Sequence, residues 1–497
     1  MQRRTFLSAA LVGMTAKAEQ RIAGSFVNDA FPLGHRMRDH AGFAAAKQTL
    51  RLPIVIVGGG MAGLNAAWRL NKKGFKDFVV LEMEHEPGGN SRWGENEVSA
   101  YPWAAHYVPP PNRETALGHE LFEEFGLGKD NVWDERNLCH SPQERLYLHG
   151  RWQEGLEPEI ASTKKDREDY QRFEELMQEH RASGQFKIPM ELGAATSPLD
   201  KLSFKQWLDQ NKLTSPYVQW FADYSTRDDF GSSISDTSAF AGIHYFASRN
   251  HDEKGPLTWP EGNGWLTKRF LERVGKYIRP DSPVYSIRRE ANRFRVRTEA
   301  TDYIADCVIF AAPTMLAPHV IEGAPRPEGF VYSPWLTANL TLQRIPDEHA
   351  PIAWDNVIYN SASLGYVVAT HMSLQSRIDR SVWTYYWALA QGTPAENRQL
   401  LLTKDYGYWK ESILNDLSRA HPNIRECVSR IDIMRLGHGM ARPVPGFLTS
   451  ETRRRFAAGE PRLFYANSDV SGYSIFEEAQ YRGVKAADKA LRLIGRG

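Results

Sequence analysis

The feature that most constrains this chain is a run of three glycines directly after a short apolar stretch. Residues 52–57 read Leu-Pro-Ile-Val-Ile-Val, a β-branched run typical of a strand buried in a parallel sheet. Three glycines, 58–60, follow, and residues 61–73 carry apolar side chains at helical spacing. A second apolar run, 78–81, ends at Glu82. This order predicts a strand, a tight turn, a helix and a second strand, which together make one βαβ unit.

The turn matches the pattern G-x-G-x-x-G that binds dinucleotides. Gly58 permits the tight turn, Gly60 lets the backbone approach a pyrophosphate, and Gly63 permits close packing of helix on strand. Met61 and Ala62 begin a helix whose N-terminus carries free amides and partial positive charge, which suit a phosphate. The acid that ends the second strand can accept hydrogen bonds from ribose hydroxyls. The spacing therefore predicts a bound dinucleotide rather than a glycine turn without a ligand.

Chain length and the placement of strand-like segments predict two interleaved domains in an α/β fold. At 497 residues the chain is longer than one simple core allows. Strand-like segments recur at the start, middle and end, whereas much of the remainder is helical or alternates as in a mixed sheet. We predict an N-terminal arm (19–50) that packs on the first domain, a Rossmann-type domain (51–110, 256–325 and 461–497), and a mixed-sheet plus helical substrate domain (111–255 and 326–460).

Charge and cysteine spacing exclude several classes of protein. The net charge is +1 and no dense cluster of lysine and arginine stands apart, so we expect no nucleic-acid partner. Cys139, Cys307 and Cys427 are far apart and form no metal-binding spacing. We therefore predict no metal site and no disulfide framework.

The N-terminus has the composition of an export signal. Paired arginines at 3–4, a short apolar run at 8–14 and the small-x-small pattern at 16–18 resemble a twin-arginine signal. We expect residues 1–18 to direct the protein to the periplasm or outside the cell; the alternative is an ordinary N-terminus that happens to begin this way. No other segment is long and apolar enough to span a bilayer, so we expect a mature chain without a transmembrane segment.

Residues 86–92 resemble a turn of the flavin-containing amine oxidase and phytoene desaturase superfamily. They read Glu-Pro-Gly-Gly-Asn-Ser-Arg and are similar to the Gly-Gly-Arg-like turn that follows the dinucleotide motif and the acid in that superfamily. Two residues separate the glycines from the arginine here, which is a departure from the pattern. The resemblance implies FAD as the cofactor, with the pyrophosphate and flavin lying along Gly88, Gly89, Ser91 and Arg92.

Later segments carry the same resemblance. Residues 259–266 are similar to the superfamily's proline–glycine turn before a helix, and Val284 stands where the superfamily contacts the adenine side of FAD. Residues 466–483 look like its final motif, in which an acid, here Asp469, binds the ribityl chain or ribose. The helix that follows, with Glu478 in its first turn, would point its N-terminus at the flavin N1/O2 edge.

Candidates for substrate chemistry are fewer. Tyr473 resembles the tyrosine of the amine oxidase aromatic cage, and plain packing is the alternative. His438 and His106 are candidates for an ionisable group near the flavin, against structural histidines. Residues 227–229, Arg-Asp-Asp, could bind a charged substrate, against a capped helix or a surface pair.

Two departures from the amine oxidases bear on the chemistry. Residues 335–342 lack the lysine that the family places by water near flavin N5, which argues against rapid use of oxygen. Residues 435–443 lack a flavin-linking cysteine, so we expect non-covalent FAD.

The resemblance implies an FAD-dependent oxidoreductase. It would take a hydride from a small amine-like substrate (an amine, a polyamine or an amino acid) onto flavin N5 and pass the electrons to oxygen or another acceptor. Two alternatives stay open. One is a desaturase or isomerase of a hydrophobic polyene, and the other is a protein that keeps FAD as a structural ligand and acts by binding a partner.

Overall fold

The computed structural model describes residues 21–27, 30–193, 196–249, 255–347, 351–375 and 377–495. The predicted export signal, 1–18, and the first two residues of the predicted arm lie outside the described residues. Within these ranges the chain forms 21 strands and 15 α-helices. The strands are β1 Ala23–Phe26, β2 Gln48–Val57, β3 Phe78–Leu81, β4 Trp93–Glu95, β5 Ala100–Pro102, β6 Tyr107–Val108, β7 Gly128–Lys129, β8 Val132–Trp133, β9 Glu144–Leu148, β10 Arg151–Glu154, β11 Leu257–Thr258, β12 Ile278–Arg279, β13 Ser286–Glu290, β14 Arg293–Arg297, β15 Thr301–Phe310, β16 Val331–Leu342, β17 Asp355–Ile358, β18 Gly365–Val368, β19 Ser381–Ala388, β20 Val428–Arg442 and β21 Leu463–Tyr465. The helices are α1 Phe31–Arg38, α2 Met61–Lys72, α3 Ala116–Glu124, α4 Lys164–Ala182, α5 Thr196–Asp200, α6 Phe204–Gln210, α7 Pro216–Phe230, α8 Ala239–Ala247, α9 Gly264–Val274, α10 Ala317–Val320, α11 Pro394–Thr403, α12 Tyr406–Leu417, α13 Ile424–Cys427, α14 Glu451–Ala458 and α15 Phe476–Leu493.

The first sheet holds the predicted βαβ unit. Its strand order is β12-β3-β2-β15-β14-β13, with β21 also paired to β15. The strands β12, β3, β2, β15 and β21 run parallel, and β14 and β13 continue the sheet as an antiparallel hairpin. The helices α2, α9 and α15 pack on one face, where apolar residues of β2 and β3 are fully buried. The predicted α/β fold with a Rossmann-type domain is confirmed.

The second sheet has eight strands in the order β1-β20-β16-β19-β18-β17-β9-β10. Most neighbours are antiparallel, whereas β1 with β20 and β17 with β9 are parallel, so the sheet is mixed as expected. The helices α11, α12 and α13 share a core with this sheet, and α4, α6, α7 and α8 form a separate helical core.

Helix and strand bounds differ from the sequence predictions by a few residues. The helix predicted at 61–73 is α2, and the one predicted at 165–182 is α4, which begins after a capping box between Thr163 and Asp166. The helix predicted at 408–420 is α12, which starts two residues earlier because the Asp405 side chain accepts a hydrogen bond from the Tyr408 amide.

The N-terminal arm contacts both sheets, which corrects the expectation that it packs on the first domain. Its strand β1 is an edge strand of the second sheet, paired in parallel with β20. Its helix α1 contacts α10, and Arg36 forms an ion pair of 2.6 Å with Glu299 beside the first sheet. The arm therefore lies across the boundary between the two sheets.

The described residues contain neither a disulfide nor a helix suited to span a membrane. Cys139, Cys307 and Cys427 are buried and free, and burial raises the pKa of Cys139 to about 12. Within the described ranges, none of the helices combines the length and apolar character that a membrane span requires.

Candidate cofactor and substrate site

A cavity of about 850 Å³ opens at the carboxyl ends of β2, β3 and β15. The last residues of these strands, Val57, Leu81 and Phe310, line it together with 311–313. Ligands of open parallel sheets bind at this edge. The volume is in the range of cofactor and ligand pockets in proteins.

The glycine-rich turn forms one wall of the cavity. Gly58 has φ +103°, and a Cβ there would lie 2.9 Å from the backbone nitrogen of Ala312, so only glycine fits. Gly60 is the N-cap of α2, and no side chain caps this end. The amides of Met61 and Ala62, which also line the cavity, therefore remain available to an anion.

Gly63 lies behind this wall rather than in it. A Cβ on Gly63 would stand 1.9 Å from the carbonyl oxygen of Gly58. On the other side of α2, a Cβ on Gly483 would stand 2.2 Å from the carbonyl oxygen of Ala62. The first turn of α2 is thus held between the strand and α15 at distances that only glycines permit.

Glu82 stands at the cavity end of β3. Its carboxylate accepts hydrogen bonds from the amides of Gly59 (2.6 Å) and Glu84 (2.8 Å). Burial raises the pKa of Glu82 to about 7, against the Gly59 hydrogen bond and the charge of Arg92, which lower it. Glu82 thus lines the cavity, and its contact to a ribose stays a prediction.

The second glycine turn folds back on the first. Gly88 has φ +125°, and its amide donates to the carbonyl oxygen of Gly59 at 2.8 Å. Gly89 lines the cavity beside Ser91 and Arg92. The Arg92 guanidinium donates to the Gly89 carbonyl oxygen at 3.0 Å and is paired with the carboxylate of Glu84.

Val284 and Asp469 line the cavity at separate points. The Asp469 side chain accepts hydrogen bonds from the amide and hydroxyl of Thr314, both at 2.7 Å, and from the hydroxyl of Tyr332 at 2.8 Å. Burial raises the pKa of Asp469, and these hydrogen bonds oppose the rise. The protein thus fixes this carboxylate at the wall.

The N-terminus of α15 opens on the same cavity, but Glu478 does not line it. The lining residues there are Ile475, Phe476 and Ala479, and no side chain caps the helix. Glu478 is fully buried on another side of α15, where it accepts a hydrogen bond from the Met190 amide. Consecutive residues of a helix point in different directions, so the motif gives the position of the helix end but not the direction of each side chain.

Of the candidate catalytic residues, only His438 lines the cavity. His438 is exposed toward solvent, and desolvation of the buried part of its ring lowers the pKa of His438 to about 4, with a further contribution from Arg398. Tyr473 is fully buried in the helical core, with its ring 4.5 Å from that of His244. A cage role for Tyr473 is therefore not supported by its position.

His106 follows Ala105, which lines the cavity. Its ring lies 4.6 Å from the ring of Tyr386 and 5.5 Å from that of Trp354. Nδ1 is 3.2 Å from the carbonyl oxygen of Ala104, an acceptor only, so Nδ1 carries the proton and Nε2 is the basic atom. Burial lowers the pKa of His106 to about 4, which keeps the ring neutral at physiological pH.

Sequence reasoning missed the contribution of the arm to this cavity. Phe31, His35 and Met37 of α1 line it, as do Arg398 of α11 and Arg435 of β20. The helix α1 is short, and 19 residues (39–57) separate it from the glycine motif, so no sequence pattern linked the two.

Comparisons with known proteins agree with this architecture. Residues 56–125 match the family model of an NAD(P)-binding Rossmann-like domain. A flavin-containing amine oxidase of Oncorhynchus mykiss is 25% identical over 274 residues, covering 52% of this chain and 50% of that protein. A probable flavin-containing monoamine oxidase A of Dictyostelium discoideum is 22% identical over 281 residues, covering 53% of this chain and 58% of that protein. The chain thus spans about half the length of these relatives.

Solved structures share the fold over nearly the whole chain. A putrescine oxidase bound to putrescine aligns with a TM-score of 0.69 at 16% identity, covering 89% of this chain and all of that one (100%). The cyclohexylamine oxidase of Brevibacterium oxydans aligns with a TM-score of 0.68 at 14% identity, with 89% and 99% covered. A fatty acid isomerase of P. acnes aligns with a TM-score of 0.62 at 15% identity, with 89% and 98% covered. These likenesses confirm the fold class.

Proposed function

We propose that this chain is an FAD-dependent oxidoreductase that oxidises an amine-like substrate. The observation that carries the proposal is the convergence of two uncapped helix N-termini, two glycine turns and a strand-end carboxylate on one cavity of about 850 Å³. These groups suit an elongated ligand: the helix N-termini can donate hydrogen bonds to an anionic centre, and the carboxylate can accept hydrogen bonds from hydroxyl groups.

The residues present fit FAD. The amides at the start of α2 would hold the pyrophosphate, Glu82 a ribose, and the backbone near Val284 the adenine. Ser91 and Asp469 would face the flavin half. When bound, FAD supplies the group that accepts a hydride from the carbon next to the substrate nitrogen. No cysteine is among the described residues that line the cavity, which supports non-covalent binding.

The chain's own contribution to amine chemistry is a neutral, hydrogen-bonded histidine. An amine must lose its proton before its carbon becomes a hydride donor. His106 is oriented by Ala104 with Nε2 free of any hydrogen bond to a described residue, and it is uncharged because burial lowers its pKa to about 4. The aromatic rings of Tyr386 and Trp354 beside it orient and desolvate a substrate. We assign to His106 the role of holding the neutral amine: Nε2 can accept a hydrogen bond from the amine N–H, whereas a ring with a pKa of about 4 is too weak a base to take the proton of an ammonium group.

The names of the relatives favour an amine over the other substrates. Both relatives matched over half of the chain are named as flavin-containing amine oxidases, and two solved structures of the same fold are a putrescine oxidase and a cyclohexylamine oxidase. The fatty acid isomerase shows that the same fold also accepts an apolar chain. The test below therefore also distinguishes the two alternatives, a desaturase or isomerase and a non-catalytic FAD-binding protein.

The test is anaerobic stopped-flow absorbance of the purified holoprotein mixed with amines, polyamines, amino acids and polyenes. We expect amines to bleach the flavin absorbance and His106→Gln to slow the bleaching. Admitting air afterwards shows whether oxygen reoxidises the flavin, which we propose as one of the possible acceptors. If dithionite reduces the flavin and no amine does, the proposed function is wrong; bleaching by a polyene would favour the desaturase.

We also propose that the protein is exported by its N-terminal segment. The paired arginines at 3–4 and the small-residue pattern at 16–18 support this. Fractionation of cells that express the chain should recover it in the periplasm, and the double variant Arg3→Lys, Arg4→Lys should retain it inside. Equal recovery of both in the cytoplasm would contradict export.

A further inference from the structure

Four carboxylates from three distant segments meet in the interior next to the proposed flavin site. They belong to Glu144 on β9, Asp228 and Asp229 on α7, and Asp355 on β17. Asp355 and Glu144 are directly paired residues of the parallel strands β17 and β9. The charge of Asp228 raises the pKa of Glu144, Asp355 and Asp229, so the four side chains are close in space. We call the space that they border the acidic chamber.

The carboxylates are enclosed but not paired. Burial raises the pKa of Glu144 and Asp229 to about 7, that of Asp228 to about 6, and that of Asp355 well above its usual range. The side chains of Glu144, Asp228 and Asp229 form no hydrogen bond to any residue that the structure describes. All four residues are only half-buried by surface area although they lie in the interior. Their exposed surface therefore faces an internal space.

Two buried side chains point to a ligand independently of the acids. Tyr224 is 5% exposed and Trp354 is 7% exposed, yet neither the hydroxyl nor the indole nitrogen bonds to a described residue. Neither atom is among the unpartnered polar atoms that the protein buries completely, so the Tyr224 hydroxyl and the Trp354 indole nitrogen both keep some accessible surface. The charges of Asp355, Asp228 and Glu144 act on the Tyr224 hydroxyl, which places it at the chamber. Such unpartnered polar atoms are costly to bury without a ligand or solvent.

The cations near the chamber are already engaged. Arg249 forms an ion pair of 2.6 Å with Glu477. Arg227 pairs with Asp223 at 2.9 Å and donates to the carbonyl oxygen of Ala362 at 3.0 Å. The chamber acids therefore have no paired cation among the described residues, and those that are ionised at neutral pH, among the acids with pKa values of about 6 to 7, leave negative charge in the chamber. A substrate carboxylate would be repelled here, and an ammonium group would be attracted.

The spacing of the acids disfavours a metal ion as the occupant. Among the described residues, no three His, Cys, Asp or Glu converge closely enough to hold a metal. Acids that are spread over a chamber with tyrosine and tryptophan walls instead suit an extended organic cation, which gains from both charge and aromatic faces. The rings at this wall belong to Tyr107, Tyr224, Tyr245, Trp354 and Tyr386.

The chamber adjoins the cofactor cavity. Ala105 and Asn263 line the cavity, and the Asn263 side chain donates to the carbonyl oxygen of Tyr107 at 3.0 Å. Leu436 also lines the cavity and packs against the aromatic cluster that contains Trp354 and Tyr386. The chamber and the cofactor cavity therefore lie on either side of the same few residues.

We propose that the acidic chamber binds the distal ammonium group of a diamine or polyamine whose other amine is presented to the cofactor cavity. This inference rests on the proposed function, and it narrows the substrate class: dications are favoured over monoamines, and amino acids are disfavoured. Glu144, Asp228 and Asp355 are the specificity-determining residues.

The experiment compares 1,4-diaminobutane with butylamine, which has the same carbon chain and one ammonium group fewer. Binding is measured by calorimetry under nitrogen to dithionite-reduced holoprotein, which cannot oxidise either ligand. Half-saturation of flavin reduction is measured separately by stopped flow. The variants are Asp228→Asn and Glu144→Gln, and the matched control is Glu175→Gln, which removes an exposed carboxylate on α4.

We expect the wild type to bind the diamine at least about tenfold more tightly than butylamine. Each chamber variant should weaken diamine binding by about tenfold and change butylamine binding by less than about twofold, whereas Glu175→Gln changes neither. Equal affinity for the two ligands, or a diamine affinity that both variants leave unchanged, would overturn the inference. If the protein oxidises amines but shows no preference for the diamine, only the proposed role of the chamber is refuted. If it binds the diamine but no amine reduces the flavin, only the proposed function is refuted.

Discussion

The close approach of α2 and α15 leads to a prediction about cofactor affinity. In Gly483→Ala, the new methyl group would stand 2.2 Å from the carbonyl oxygen of Ala62. Carbon and carbonyl oxygen approach to about 3.3 Å at closest, so the two helices must separate by about 1 Å. The clash is between backbone and Cβ, and no side-chain rotation relieves it. Both helices present their N-termini to the cofactor cavity, so a shift of either displaces the donors that we assign to FAD.

Two opposing effects set the magnitude. Insertion of a methyl group into a packed interface costs about 1–3 kcal/mol. Alanine is a better helix former than glycine by about 1 kcal/mol, which offsets part of that cost in the free energy of unfolding. The helix-propensity gain does not restore the position of the amides, so the cost of displacement is expected to fall on cofactor binding. A loss of 1–3 kcal/mol corresponds to an FAD dissociation constant about 5- to 150-fold higher.

The assay is titration of the apoprotein with FAD, followed by the quenching of flavin fluorescence, with urea unfolding measured in parallel. The control is Gly407→Ala in α12, where the new methyl group meets only the Asp405 side chain at 3.4 Å, an ordinary contact. That variant should keep the wild-type affinity. An FAD dissociation constant of Gly483→Ala within about twofold of wild type would refute the claim that the contact positions the phosphate-binding turn.

Three further predictions concern groups with unusual surroundings. Tyr473→Phe should leave amine oxidation within about twofold of wild type in steady-state assays and stability unchanged or raised, because its buried hydroxyl has no hydrogen-bond partner among the described residues; a loss of tenfold or more would restore the cage role. His106→Gln should lower the rate of flavin reduction without changing its pH dependence between pH 6 and 8, since the pKa of His106 is about 4; an altered profile in stopped-flow data would contradict a neutral histidine. The chamber acids have raised pKa values when folded, so the unfolded chain releases their protons at lower pH, and their contribution to the free energy of unfolding falls as pH rises from 5 to 8. Histidines whose pKa is lowered to about 4, such as His106 and His438, contribute in the opposite direction, so the prediction concerns a difference: the free energy of unfolding of the wild type minus that of Asp228→Asn, measured by urea unfolding, should fall across that range.

The sequence predicts the cofactor half of the molecule well because its signals are local. Residues 52–82 contain strand, turn, helix and acid in one continuous stretch, and each part has a periodicity or a turn residue that identifies it. The terminal motif likewise predicts a helix end at the cavity, as α15 shows. The expected contact of Glu478 with the cofactor is not supported, because Glu478 points to another side of α15. The rotation of a helix depends on what packs around it, and no local sequence pattern encodes that.

The substrate half is less predictable because its residues come together only in the folded chain. Glu144, Asp228 and Asp355 are more than eighty residues apart from one another in sequence. The Arg-Asp-Asp run at 227–229 suggested a charged substrate, but a surface pair was equally consistent with the sequence. Only the fold shows that its arginine turns to Asp223 while its acids face the interior.

The placement of charge argues that the acidic chamber exists for a ligand rather than for stability. Burying several carboxylates without a paired cation is unfavourable, and burial accordingly raises the pKa of Glu144, Asp228 and Asp229. Elsewhere the chain pairs its buried acids: Asp469 with Thr314 and Tyr332, for example. A group of neighbouring buried acids whose side chains form no hydrogen bond to a described residue departs from that arrangement, and such departures are expected where function requires them. The cofactor cavity presents helix N-termini that favour anions, and the chamber next to it favours cations. A dicationic substrate is therefore drawn to the chamber and kept away from the phosphate site, which orients one end of the molecule toward the flavin half of the cavity.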